Sequence, residues 1–113
     1  MGAMLSIENT EHIKDKRKTH FKDNYNSNGL FHNIGLSWTR TINTFCKDEK
    51  GSCYLYPSHI PTFRKVVTTA WENFKRKDNH ALEQQYKCEQ QYKWLMEIFD
   101  RAEKSGKRIV FYA

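Results

Sequence analysis

The stretch PTFRKVVTTAWENFKRK, residues 61–77, carries the clearest structural pattern in the chain. Its apolar side chains recur at spacings of three and four residues, which places them on one helical face: Phe63, Val66, Val67, Ala70, Trp71 and Phe74. Pro61 suits the first turn, because the N–H missing from proline has no partner there in any helix. The cations of residues 75–77 suit the last turn, where the helix dipole favours positive charge. The stretch therefore predicts an amphipathic helix that needs a second layer to pack against.

A second helix is predicted from about residue 80 to residue 104, where Ser105-Gly106 gives an ordinary C-terminal signal. Asp78 and Asn79 would end the first helix and cap the second. So short a connection makes the two helices antiparallel neighbours. The second helix is strongly apolar after Trp94, so we expect this half to pack against residues 61–77.

The first half of this second helix repeats the letters EQQYK, at residues 83–87 and again at 89–93. A six-residue step advances a helix by about 600°, so Tyr86 and Tyr92 should point about 120° apart. Within each copy, Glu and Lys stand four residues apart in the favourable order, which is worth roughly 0.2–0.5 kcal/mol. We interpret the repeat mainly as helix reinforcement, with a partner surface around Tyr86 as the alternative.

A β-hairpin is predicted before the first helix. Apolar, aromatic and polar residues alternate over residues 36–44, which is typical of a half-buried strand. Residues 47–51 supply turn chemistry, and residues 53–56 would return as the second strand until Pro57. Residues 108–112, RIVFY, should add a strand to this hairpin. The predicted fold class is α+β: a small antiparallel sheet, made of the hairpin plus the C-terminal strand, packed against two long antiparallel helices.

Residues 1–29 look least globular, and we predict a single globular α+β domain at residues 30–113. Met1-Gly2-Ala3 resembles residues added in cloning, so the natural chain is expected to begin at Met4. The basic run at residues 14–18 has few apolar neighbours, and residues 24–29 are rich in turn formers. A frayed helix or flexible arm is expected, serving either as a solvated tail or as an electrostatic arm on phosphates.

The charge balance favours acidic partners. Lys and Arg number 19 against 13 Asp and Glu, giving a net charge of +6, which suits nucleic acid or an acidic protein. No apolar stretch approaches the length of a membrane span, so no membrane partner is expected. Three cysteines and no apolar leader favour a cytoplasmic location.

The cysteines and histidines are the residues that could carry metal binding or catalysis. A zinc site could be drawn from Cys46, Cys53, His59 and a distant His80 or Cys88, but the spacing lacks the short Cys-x-x-Cys pattern. Packing of the two hairpin cysteines, or a cross-strand disulfide, is favoured, and no metal is expected. His59 or His80 could act as the base of a ribonuclease, but no paired carboxylate is evident. We assign no catalytic residue, no cofactor and no small-molecule substrate, and favour a binding role over an enzymatic one.

The sequence thus indicates a small, basic, non-catalytic protein that contacts nucleic acid through a Lys/Arg surface. The candidate contacts are Lys16, Arg17, Lys18, Lys75, Arg76 and Lys77, with Tyr86 as a further partner contact. Aromatic residues interleave with other cations, as in proteins that stack on bases: His20, Phe21, Lys22, Tyr25, Trp38, Arg40 and Arg108. The alternative is an inhibitor or adaptor that docks on an acidic partner protein, and the third is a small ribonuclease-type toxin. The composition is compatible with a phage or mobile-element origin.

Overall fold

The computed structural model describes residues 2–24, 29–77 and 81–112. Within these ranges, five strands form one antiparallel sheet in the order β2-β1-β5-β4-β3. The strands are β1 Gly2–Ile7, β2 His20–Asn24, β3 Lys47–Glu49, β4 Ser52–Leu55 and β5 Ile109–Tyr112. The helices are α1 Leu30–Asn33, α2 Trp38–Phe45, α3 Ile60–Lys75 and α4 Leu82–Ser105, with 3-10 turns at Lys16–Lys18 and Pro57–His59. The α+β class is confirmed, and so are the two long helices.

The core lies between the helices and one face of the sheet. Phe111 of β5 contacts Trp38 of α2 and Phe63 of α3, with ring centroids 5.4 and 5.7 Å apart. Phe63 also meets Phe99 of α4 edge to face at 5.4 Å. This aromatic cluster therefore joins three helices to the central strand β5. Burial of one apolar side chain of this size stabilises the fold by about 1.5–3 kcal/mol.

Helices α3 and α4 run antiparallel, as the short connection predicted. Arg64 near the start of α3 pairs with Asp100 near the end of α4 at 2.9 Å. Helix α4 ends at Ser105 and is capped by Gly106, whose φ of +67° is the left-handed C-cap conformation. Strand β5 pairs with β4 as expected, with Val110 opposite Tyr54. Asp78 and Asn79, the predicted helix break, lie outside the described residues.

The EQQYK repeat behaves as helix reinforcement. Both predicted i,i+4 pairs form, Lys87 with Glu83 at 3.4 Å and Lys93 with Glu89 at 3.8 Å. The two tyrosines point apart: Tyr86 is 62% exposed, whereas the Tyr92 ring stacks on Trp71 with centroids 5.3 Å apart. The two copies therefore do not present one matched surface.

The predicted strand at residues 36–44 is wrong, because this segment forms helix α2. Ser37 caps it by accepting a hydrogen bond from the Arg40 backbone N–H at 3.2 Å. Trp38, Thr41, Ile42 and Phe45 also follow helical spacing, and over so short a segment the helical and strand periods fit the same residues. The hairpin itself is present but shorter than predicted, because residues 47–49 form its first strand. Its turn is Lys50-Gly51, both with positive φ, which is typical of a type I′ turn.

The frayed helix or flexible arm expected within residues 1–29 is also wrong for residues 2–24. Strand β1 lies inside the sheet, between β2 and β5, with Leu5 opposite both Phe21 and Phe111. Leu5 and Phe21 are fully buried. The apolar residues here were too sparse for a helix because they alternate, as a strand requires. One sheet therefore spans the boundary predicted at residue 29; the rest of the linker, residues 25–28, lies outside the described residues.

No helix in the described ranges is both long enough and apolar enough to cross a bilayer.

Candidate nucleic-acid interface

The 3-10 turn Lys16–Lys18 is fixed to the middle of α4. The Asp15 carboxylate caps the turn by accepting a hydrogen bond from the Arg17 N–H at 3.2 Å. The indole Nε1–H of Trp94 donates to the Arg17 carbonyl oxygen at 2.7 Å. The Arg17 guanidinium then lies 4.9 Å from the centroid of the Trp94 ring, a cation–π distance. Trp94 thus holds Arg17, one of the predicted contact residues, against the helix surface.

A groove of about 360 Å³ opens between this turn and α4, and we call it the tryptophan groove. Four cations line it: Arg17, Lys18, Lys93 and Arg101. The other lining residues are Asp15, Gln90, Trp94 and Glu97. The five α4 residues share one helical stripe, since they follow spacings of three and four.

The groove carries excess positive charge. Of its two carboxylates, Asp15 already caps the 3-10 turn. Lys93 pairs with Glu89 at 3.8 Å, but such exposed pairs are worth at most about 1 kcal/mol and break readily. Arg17, Lys18 and Arg101 form no ion pair with a described residue. The arrangement can therefore attract an anion that carries several charges.

The remaining predicted contacts lie elsewhere. Lys16 adjoins the groove, and its Nζ donates to the Glu11 carbonyl oxygen. Lys75 pairs with Glu72 at 3.1 Å and lies 5.6 Å from the Trp71 ring centroid. Arg76 is exposed, and Lys77 borders a different groove along α3. Tyr86 is exposed on α4 and does not line the tryptophan groove. The seven candidates are thus divided among separate parts of the surface.

Sequence reasoning missed Lys93, Trp94 and Arg101 as groove residues. Lys93 was interpreted only as a partner in the repeat, and Trp94 only as core. The signal was the polar stripe at residues 90, 93, 97 and 101, which runs beside Trp94. A half-buried tryptophan inside a charged stripe indicates a surface groove more than a core position.

Arg108, part of the predicted basic–aromatic pattern, belongs to a closed network instead. Glu8 accepts from its Nε at 2.9 Å and from its Nη2 at 3.0 Å, and Glu49 accepts from its Nη1 at 2.8 Å. The guanidinium also lies 4.0 Å from the Tyr54 ring centroid. Hydrogen bonding by the Arg108 side chain holds the pKa of Glu8 below its usual range. Arg108 is therefore engaged within the protein.

The cysteines show no sign of activation. Cys46 and Cys53 are free and half-buried. Burial, followed by the proximity of Cys53, raises the pKa of Cys46 to about 12, so this thiol stays protonated near neutral pH. Within the described ranges, no cluster of three His, Cys, Asp or Glu side chains could hold a metal ion. Of the two histidines considered as catalytic bases, His59 is exposed, and His80 lies outside those ranges.

No protein-family model, curated protein or solved structure matches this chain.

Proposed function

We propose that the protein is a small non-catalytic nucleic-acid-binding protein that holds a single strand in the tryptophan groove. The observation that supports this is the convergence of Arg17, Lys18, Lys93 and Arg101 on one groove beside an indole. Lys and Arg neutralise phosphates, which supplies most of the affinity for nucleic acid. The Arg17 guanidinium is planar and can stack on an unpaired base. A single strand fits better than a duplex, because its bases are free to stack.

The net charge of +6 supports the same proposal. Seven carboxylates are already in ion pairs with Arg64, Lys75, Lys87, Lys93 and Arg108. Much of the negative charge is therefore neutralised locally, and the exposed cations dominate the outer field. The ribonuclease-type alternative and the cytoplasmic location remain predictions.

The test is binding of a labelled single-stranded oligonucleotide, measured by fluorescence anisotropy over a range of salt concentrations. We expect affinity to fall steeply as salt rises. Replacing Arg17, Lys18 and Arg101 together with Gln should lower the slope of log affinity against log salt by about 2, at ~0.7 per lost phosphate contact. The three side chains are exposed, so the free energy of unfolding of the variant should lie within about 0.5 kcal/mol of that of the parent protein.

The matched control replaces Arg40, Lys65 and Lys77 with Gln, which removes the same net charge from another surface. This control should retain the slope of the parent protein. Absence of binding at ~50 mM salt would refute the proposal. Equal loss in both triple variants would show that binding follows net charge and not the groove.

A further inference from the structure

A larger groove runs along the outer side of α3, beside the connection between α1 and α2. It measures about 570 Å³ and shares the lining residues Gly35, Leu36 and Val66 with a neighbouring groove of about 340 Å³. We call the two together the α3 groove. Its aliphatic lining residues, which we call its floor, are Ile34, Leu36, Val66 and Ala70, and Thr69 and Asn73 line it as well. Leu36 and Ala70 are only partly buried, so apolar surface remains open to a ligand.

The charges around the α3 groove are all of one sign. Among the described residues that line it, the charged ones are Arg40, Lys65 and Lys77. None of the three forms an ion pair with another described residue. The tryptophan groove, by contrast, includes the carboxylates of Asp15 and Glu97. A ligand that is apolar in the middle and acidic at its ends would complement these cations and the aliphatic floor between them.

We propose that the α3 groove binds a short segment of a partner protein in which apolar side chains stand between carboxylates. Lys65 lies on α3 and Lys77 lies two residues beyond its end, and both line the larger groove. The twelve-residue step between them corresponds to roughly 18 Å at ~1.5 Å per residue. An extended segment of about five or six residues covers that distance at ~3.3 Å per residue. Its carboxylates would meet Lys65, Lys77 and Arg40, while its apolar side chains would cover Leu36 and Val66.

The floor of the groove argues against nucleic acid as its occupant. Bases bind by stacking on flat aromatic or guanidinium faces, whereas the floor offers branched aliphatic side chains and Ala70. The aromatic residue at the groove's far end, Phe45, is half-buried and packs edge to face on Phe63 at 5.6 Å. Placing a phosphate over aliphatic surface would remove its water without supplying hydrogen bonds. A peptide satisfies both the floor and the rim.

The first test uses fluorescein-labelled peptides and anisotropy. The probe is a run of leucines flanked by glutamates; one control peptide replaces the leucines with glycines, and the other replaces the glutamates with lysines. We expect the first peptide to bind and both controls to bind at least about fivefold more weakly, since each lacks one of the two complementary features. Equal binding of the glycine peptide, or no binding of the leucine peptide, would overturn the proposal.

Substitutions of Thr69 test the site, because a positive and a negative charge there should change peptide affinity in opposite directions. It lines the groove, is exposed and lies inside α3, so Lys and Glu are both accepted there without loss of helix. Thr69→Lys should strengthen binding of the glutamate–leucine peptide by about two- to fivefold, and Thr69→Glu should weaken it by a similar factor. Circular dichroism should show the same fold for both. Identical affinities for the two variants would contradict the proposed site.

The two triple variants distinguish this proposal from the nucleic-acid proposal. Gln at positions 40, 65 and 77 should abolish peptide binding and leave oligonucleotide binding intact. Gln at positions 17, 18 and 101 should do the reverse. If oligonucleotide binding is instead lost with the α3 groove cations, then nucleic acid occupies this groove and the peptide proposal is wrong. If neither the parent protein nor either triple variant binds the oligonucleotide, but the parent protein binds the peptide, the proposed function is wrong and the peptide site is supported.

Discussion

Arg17 and Arg108 each lie over an aromatic ring, but of these two only Arg17 is available to a ligand. Arg108 is 4.0 Å from the Tyr54 ring centroid and is enclosed by Glu8 and Glu49. Arg17 is 4.9 Å from the Trp94 ring centroid, and its guanidinium forms no ion pair with any described carboxylate. The same cation–π contact thus occurs at one arginine that is engaged within the protein and at one that is free to bind. The charges next to the cation decide whether it is structural or free to bind.

The difference arises from how each arginine is positioned. Arg108 directly precedes β5, where the pairing of β1 brings Glu8 beside it and the β3–β4 hairpin brings Glu49. The Glu8 backbone N–H also donates to the Arg108 carbonyl oxygen at 2.9 Å. Arg17 depends on the short 3-10 turn and on one hydrogen bond from Trp94. A residue held by several strands is suited to structure, whereas one whose guanidinium forms no ion pair with a described residue can adjust to a ligand.

The largest effect is expected from Arg108→Leu. This change removes the charge partner of the partly buried Glu8, whose carboxylate would keep only the hydrogen bond from the backbone N–H of residue 108. A partly buried carboxylate without a counter-charge is costly. The melting temperature should fall by several degrees, whereas Arg17→Gln should leave it almost unchanged. Thermal denaturation followed by circular dichroism measures both. Equal melting temperatures for the two variants would remove the distinction between them.

The sequence predicted those parts of the fold whose signals are local. The stripes of α3 and α4 and the glycine after α4 lie within single segments, so spacing alone identified them. The pairing of β1 with β5 depends on a partner about a hundred residues away, as Leu5 opposite Phe111 shows. Nothing near Leu5 in the chain signals that contact. Helix α2 was mistaken because Trp38 and Ile42 fit both periods, and only packing against Phe111 decides between them.

The residues of the tryptophan groove, like the fold, could be predicted only where their signal is local in the sequence. The charge run at residues 14–18 pointed to Arg17 and Lys18, but α4 supplies the other half of the groove. Which face of α4 meets the 3-10 turn is set by the sheet, because the turn connects β1 to β2. Glu8 and Glu49 likewise reach Arg108 only through strand pairing. Sequence composition therefore counts cations correctly and cannot tell which of them are neutralised.

The pH dependence of stability should separate the two arginines next. Hydrogen bonding to Arg108 lowers the pKa of Glu8, so this contribution is fully present above the ordinary glutamate pKa of 4.5. It is lost as the pH falls from there through the lower pKa of the folded state. We expect Glu8→Gln to be less stable than the parent protein at neutral pH and to lose less stability on acidification. Urea unfolding at several pH values measures this; parallel pH profiles for the two proteins would refute it.

A smaller effect is expected from Trp94→Phe, which keeps an aromatic ring and removes the N–H that donates to Arg17. Loss of one such hydrogen bond should cost about 0.5–1.5 kcal/mol. The 3-10 turn would also be less firmly placed, so oligonucleotide affinity should fall several-fold. Tyr86→Ala is the matched control, because it removes an exposed aromatic ring of α4 outside the groove.

We expect Tyr86→Ala to change the free energy of unfolding by less than about 0.5 kcal/mol and to leave oligonucleotide affinity unchanged. An equal loss of affinity in both variants would mean that Trp94 does not position Arg17 for binding. Loss of peptide binding on Tyr86→Ala would instead favour the partner surface considered for the EQQYK repeat.

The smallest effect, and the one that tests the tryptophan groove most directly, is expected from Glu97→Gln. Glu97 lines the groove among its four cations, where its carboxylate repels an incoming phosphate. Gln keeps the size of the side chain and removes the charge, so oligonucleotide affinity should rise by about two- to threefold at low salt. The gain should shrink as salt rises, because exposed charges are screened. The matched control is Glu83→Gln, which makes the same change in net charge on the same helix, outside the groove. If Glu83→Gln raises affinity as much as Glu97→Gln does, the phosphates respond to the net charge of the molecule, and the strand does not lie beside Trp94.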